Sequence, residues 1–153
     1  MEIRQLTDNL EKQAVTRHIL ESLSDWFGIP EAREEYIAES RDKIFFCAYE
    51  QEGPVGFLYL KETGNATVEL YVMGVLQEFH RHGIGRELFR RAKQTTYESG
   101  YSFMQVKTVQ TGKYEEYDRT NRFYLSLGFQ EFEVFPTLWD EWNPCQIYVM
   151  SLA

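Results

Sequence analysis

The residues whose types and spacing could do chemistry cluster in a short loop, His80-Arg81-His82-Gly83-Ile84-Gly85-Arg86. Glycine has no Cβ, so the chain at Gly83 and Gly85 can tighten and let a ligand approach the backbone. The run that follows, through Leu88, Phe89 and Ala92, is helix-like, and the first amides of a helix have no acceptor inside it. Together with the helix dipole they form an anion site suited to a pyrophosphate. Arg81 and Arg86 either add charge there or face solvent, and His80 and His82 are either phosphate contacts when protonated or exposed loop residues. No third ligand at suitable spacing joins the histidines, so no metal is expected. A Walker loop would end in Gly-Lys-Ser/Thr, and a dinucleotide fingerprint needs a third glycine; neither is present. Alone, Gly-x-Gly is also an ordinary turn before a helix. Cys47 and Cys145 stand apart in the sequence and read as reduced thiols rather than a disulfide or a nucleophile.

These residues must be positioned by the elements around them. Residues 67–75 read as a strand entering the loop, and the helix that leaves it ends near Ser99-Gly100. Residues 101–109 alternate as the next strand, so the unit suits a right-handed parallel crossover. Before it, residues 2–6 form a first strand, Asp8 caps a first helix, and Pro30 starts a second through Tyr36. Residues 43–50 and 55–60 are strands joined by a short turn, which argues for an antiparallel meander, with Gly56 marking a bulge or a close approach. Downstream, 110–117 reads as an ordered loop, Asp118 as the cap of a last helix, and 129–135 and 145–150 as closing strands.

The loop resembles the acyl-CoA-binding motif of the GNAT superfamily of N-acetyltransferases, Gln/Arg-x-x-Gly-x-Gly/Ala. Here it reads His80-Arg81-His82-Gly83-Ile84-Gly85, with His80 departing from the first position. A second segment, Asn121-Arg122-Phe123-Tyr124-Leu125-Ser126-Leu127-Gly128-Phe129, resembles the family's Asn-x-x-Phe/Tyr-Tyr-x-x-x-Gly-Phe stretch. The resemblance covers almost the whole chain. It implies an α/β fold: a mixed, mostly antiparallel sheet flanked by helices, with a splayed central strand pair. It also implies one N-acetyltransferase domain over residues 1–153.

The cofactor so implied is acetyl-CoA. Its pantetheine arm would pair with backbone at Met73, Gly74 and Val75, as an added strand does. Its pyrophosphate would meet Arg81, His82, Gly83, Ile84, Gly85 and Arg86, and Asn121 would hydrogen-bond the arm. Glu69 matches the position of a general-base glutamate in several members; its other reading is a paired or solvated strand carboxylate. Tyr124 matches the residue that protonates the departing thiolate, against a reading as a tyrosine packed on the sheet. The two N-terminal helices and their connection would wall the acceptor site, which makes Trp26, Phe27 and Tyr36 pocket residues, with Tyr117 and Trp139 from later segments. Glu34, Glu35, Glu115, Glu116, Asp118, Asp140 and Glu141 lie in segments that could ring it.

Composition sets the outer bounds. The 153 residues carry a formal net charge of −8, which disfavours nucleic acid as a partner and would attract a cationic acceptor. No apolar run is long enough to span a membrane, and residues 1–5 lack the marks of a signal peptide, so a cytoplasmic protein is expected. The expectation is an acetyl-CoA-dependent transferase acting on a small cationic amine, with no nucleic acid or membrane partner; a homodimer is left open. Two alternatives stand beside it: a non-enzymatic acyl-CoA sensor or interaction module, and a transferase acting on protein or peptide amines.

Overall fold

The structure is a computed structural model that describes residues 1–153. Seven strands form one sheet: β1 (Glu2–Leu6), β2 (Ile44–Glu50), β3 (Gly53–Glu62), β4 (Thr67–Val75), β5 (Phe103–Val109), β6 (Gln130–Phe135) and β7 (Cys145–Ser151). Their order is β1-β2-β3-β4-β5-β7-β6. Every neighbouring pair is antiparallel except β4 and β5, which are parallel because α3 (Ile84–Glu98) crosses between them. The other helices are α1 (Asn9–Glu21), α2 (Pro30–Glu39) and α4 (Glu115–Ser126).

Local chemistry sets these boundaries. Asp8 Oδ1 accepts from the amides of Leu10 (2.8 Å) and Glu11 (3.2 Å), which caps α1. Pro30 opens α2, where its missing amide costs nothing. α4 begins earlier than the sequence suggests. It starts at Glu115, and the Asp118 carboxylate, expected to cap it, instead accepts from the Gly112 amide at 2.8 Å. Glu115, Glu116 and Asp118 all fall in its first turn, where the helix dipole favours negative charge.

Two antiparallel pairs place the helices. Gly56 faces Val75 and Phe57 faces Gly74. A Cβ on Gly56 would lie 3.2 Å from Ile84 Cγ2, and one on Gly74 would lie 3.0 Å from Leu23 Cδ1. Adjacent pairs point to opposite faces, so α1 packs on one face and α3 on the other. The core between these layers includes stacked Phe45, Phe57 and Tyr59, with Leu88, Phe89 and Ala92 supplied by α3. Burying each leucine or phenylalanine among them stabilises by about 1.5–3 kcal/mol relative to exposing it.

The sheet has two irregularities near its middle. Tyr59 pairs with Val72 while Leu60 pairs with Leu70, so Tyr71 is an extra residue that bulges from β4. β4 and β5 share only the rungs Thr67–Phe103, Val68–Met104 and Glu69–Gln105. Beyond them the strands part, with β4 running on to Val75 and β5 to Val109.

Candidate functional site

At the far end of the parting strands lies the loop between β4 and α3. Arg81 (φ 67°) and Gly83 (φ 79°) both take left-handed conformations, the kind of backbone turn that gathers successive amides into an anion-binding concavity. Glycine adopts this freely, whereas a non-glycine residue such as Arg81 is held there at a cost of about 1–3 kcal/mol. Glu87 N–H donates to Gly83 O at 3.1 Å, so the amides of Ile84, Gly85 and Arg86 ahead of it have no acceptor within the helix. Gly85 serves a different purpose from Gly83. It is helical, and a Cβ on it would lie 3.0 Å from both Met73 Cε and Phe123 Cζ, so it lets α3 sit close to α4.

From this loop a cleft of ≈ 1140 Å³ runs along the strand fork to the α1–α2 connection. Val72, Met73, Gly74 and Val75 line one side, and Lys107, Thr108 and Val109 the other. The edges where β4 and β5 no longer pair therefore face one another across it. Their unpaired backbone offers donors and acceptors to an extended, amide-bearing chain laid in as a strand would be.

The end of the cleft at the α1–α2 connection is aromatic. Phe27 meets Tyr36 edge-on at 6.1 Å, and Tyr36 meets Tyr71 at 5.9 Å. Trp26 is clasped to α4: its indole Nε1–H donates to Glu116 O at 3.3 Å, and the Tyr117 hydroxyl donates to Trp26 O at 2.8 Å. Burial pushes the Tyr117 hydroxyl up to about 12, which keeps that donor protonated. His80 joins the same group. Its Nε2 donates to Val75 O at 2.7 Å, and its ring meets Trp26 edge-on at 5.6 Å. Instead of an exposed loop histidine, His80 is a half-buried tie between the end of β4 and the α1–α2 connection.

Glu69 occupies the last paired rung, at the apex of the fork, and is 5% exposed. Burial raises its carboxyl above the usual range, and Lys107, whose Nζ donates to Oε1 at 3.1 Å, pulls it back down. Tyr124 is buried, and desolvation pushes its hydroxyl upward. That hydroxyl has no hydrogen-bond partner, yet the protein contains no enclosed, unpaired side-chain polar atom. It therefore opens into the cleft that Tyr124 lines. A protonated phenol thus opens into the cleft, and a carboxylate of raised basicity lies just outside its lining beside Lys107, a pairing suited to taking a proton from a nucleophile and giving one to a leaving group.

The cleft brings together Trp26, Phe27, Tyr36, Met73, Gly74, Val75, Arg81, Gly83, Ile84, Gly85, Arg86, Tyr117, Tyr124 and Trp139. Three of the residues singled out in the sequence lie outside its lining. Glu69 sits beneath it behind Lys107. The His82 ring turns to Phe79, with centroids 5.9 Å apart. Asn121 departs most from expectation. Its Nδ2 donates to Val109 O (2.9 Å) and Tyr117 O (2.7 Å), and its Oδ1 accepts from the Tyr148 hydroxyl. Asn121 thus ties α4 to β5 and β7 and has no hydrogen left for a ligand. Of the acids expected around the pocket, Glu116 and Asp140 line it, while Glu34 faces Arg17 in an exposed pair at 2.7 Å. The Lys107–Glu69 pair and the Trp26 clasp had no signal in the sequence, because both need strand register or helix placement. Alternation in β5 does put Lys107 with Gln105, and Gln105 pairs with Glu69 once the crossover is known to be parallel.

Comparison with solved structures places this geometry. A structure assigned to the GNAT acetyltransferases from Desulfovibrio desulfuricans superposes with a TM-score of 0.84 at 20% identity, over 99% of each chain. An aminoglycoside 6′-N-acetyltransferase complexed with coenzyme A gives 0.78 at 19% identity, covering 100% of this chain and 98% of the other. The ribosomal-protein-S18-alanine N-acetyltransferase of Escherichia coli gives 0.78 at 13%, covering 99% and 95%. At these identities the likeness concerns the fold. A search of curated protein sequences finds no significant match. The sequence profile described as "Acetyltransferase (GNAT) domain" matches residues 41–131, which hold β2 through α4, the anion loop and the fork. The chain belongs to the GNAT acetyltransferase family.

Proposed function

We propose that the protein transfers the acetyl group of acetyl-CoA to a primary amine of a small cationic molecule. The observation that carries this reading is the fork between β4 and β5, with the anion loop at one end and Glu69 with Tyr124 near the other. Family membership supports the reaction class, and the coenzyme A complex of the similarly folded aminoglycoside enzyme supports the cofactor. The amides of Ile84, Gly85 and Arg86 hold the pyrophosphate, and the exposed edges of Met73 to Val75 hold the pantetheine arm.

In this reading the thioester is fixed beside the acceptor, and proximity contributes much of the acceleration. A primary amine titrates at about 10.4 and arrives protonated. Glu69, raised by burial, takes its proton directly or through a water. The neutral amine attacks the thioester carbonyl, and the oxyanion is stabilised by main-chain amide near Val75. Tyr124 protonates the departing thiolate. Both cysteines are buried, and burial raises Cys47 to about 12 and Cys145 to about 11, which favours direct attack over a thiol-bound intermediate.

The clasp of Trp26 onto α4 closes one flank of the acceptor end and favours a small molecule over an extended peptide. The formal net charge of −8 favours a cationic one through long-range attraction. A screen of amines with acetyl-CoA, read as released thiol, tests the proposal. Turnover is expected with small di- and polyamines, and Glu69→Gln is expected to lower it by about 10²–10⁴-fold. Coenzyme binding with no turnover on any amine would favour a sensor, and turnover only on peptides would overturn the acceptor class.

A further inference from the structure

Lys107 is the one lysine that lines the cleft. Extending the parallel register from Glu69–Gln105 puts its Cα level with Tyr71, two residues past the last rung, where the strands have already parted. Its side chain is 30% exposed and reaches back along the fork to Glu69 at 3.1 Å. The protein thus holds an amine of its own beside the carboxylate that serves an acceptor amine.

We propose that Lys107 is a self-acetylation site, modified by the acetyl-CoA bound in the same fork. This rests on the proposed function, because it needs the thioester in the cleft. Glu69 takes one proton from the Lys107 ammonium and passes it to solvent through the mouth of the cleft. The freed Nζ lone pair attacks the thioester carbonyl, forming a C–N bond, and the C–S bond breaks. A second proton leaves the nitrogen and ends on the sulfur, so the products are N-acetyllysine, coenzyme A thiol and one proton. No oxidant or further reactant enters. Acetylation removes the lysine charge, and with it the closest cation to Glu69. An acceptor amine that occupies the pocket competes with Lys107 for both the carboxylate and the acetyl group.

The other lysines provide the control. Lys93 and Lys113 are exposed, whereas Lys12 is buried and donates to Lys43 O at 2.6 Å. Chemical acetylation in solution would follow exposure and mark Lys93 and Lys113 first. Acetylation within the fork marks Lys107.

The test is intact-mass measurement of the full chain incubated with acetyl-CoA and no amine, followed by peptide mapping. The expected result is one added acetyl group, about 42 Da, at Lys107. Its occupancy should exceed that of Lys93 or Lys113 by at least about tenfold, as an intramolecular reaction allows. Excess coenzyme A or acceptor amine should suppress it, and so should Glu69→Gln. Lys107→Arg should abolish the added mass; if that variant does not fold, the wild-type peptide map decides alone. Acetylation spread according to exposure, or at Lys61 in place of Lys107, would overturn the proposal. Calorimetric coenzyme binding and amine turnover with Lys107 unmodified would sink this inference and leave the enzyme standing. Failure to bind coenzyme would sink both.

Discussion

In the proposed reaction, Glu69 is the residue on which the pH behaviour turns. Burial raises its carboxyl and the Lys107 cation lowers it, with burial the larger effect. A base of raised pKa loses activity as pH falls through that value, so kcat/KM should show an acid limb above the ordinary carboxylate range of about 4.3. Lys107→Met removes the opposing cation and should move that limb to higher pH, checked by a pH–rate profile; a limb that stays in place would show that Lys107 exerts no field on the base. Tyr124→Phe should lower kcat by about 10²–10⁴-fold with coenzyme affinity preserved in calorimetry. Both residues were singled out because they fall on positions that match the family's pattern. Asn121 falls on such a position too, yet its hydrogen bonds turn it inward. A motif fixes where the backbone runs, but the partners a side chain finds depend on neighbours distant in sequence, here Val109 and Tyr148. The same dependence hid the Lys107–Glu69 pair, which joins residues 38 apart in sequence.

At the level of elements, α4 is held by polar ties as well as by packing. Asn121→Ala would leave the carbonyls of Val109 and Tyr117 and the hydroxyl of Tyr148 without their partner. Orphaned buried groups cost about 1–3 kcal/mol each, so chemical denaturation should show a loss of a few kcal/mol. Because Asn121 does not line the cleft, acceptor KM should change little in the protein that remains folded. The strands were legible to within two residues: β4 spans the expected residues, β5 starts two residues late at Phe103, and β3 runs two residues past each expected end, from Gly53 to Glu62. Alternation on a half-buried sheet is a strong signal. The start of α4 was less legible, since Tyr114 caps it without a side-chain hydrogen bond and Asp118, a good capping type, is used by the preceding turn.

For the molecule as a whole, the excess of 24 acidic over 16 basic residues acts at a distance. A cationic acceptor should be drawn in faster at low salt, and the effect should fade as the Debye length shrinks from about 30 Å at 0.01 M to about 8 Å at 0.15 M. The expected outcome is a kcat/KM that declines with ionic strength more steeply for a polyamine than for a singly charged monoamine; equal slopes would count against steering. Charge and length were plain in the sequence. The fork was legible only through the resemblance, since no property of residues 70–75 or 106–109 alone says that two neighbouring strands will separate.

That separation has a mechanical consequence. The sheet is two panels, β1 to β4 and β5 to β6, stitched side by side through three rungs. A coenzyme arm laid into the seam would act as the missing thread, so the panels should flex against each other before it arrives and stiffen afterwards. Amide hydrogen exchange along residues 70–75 and 106–109 should then slow on coenzyme addition more than anywhere else in the sheet, while the outer strands β1 and β6 keep the pace they had.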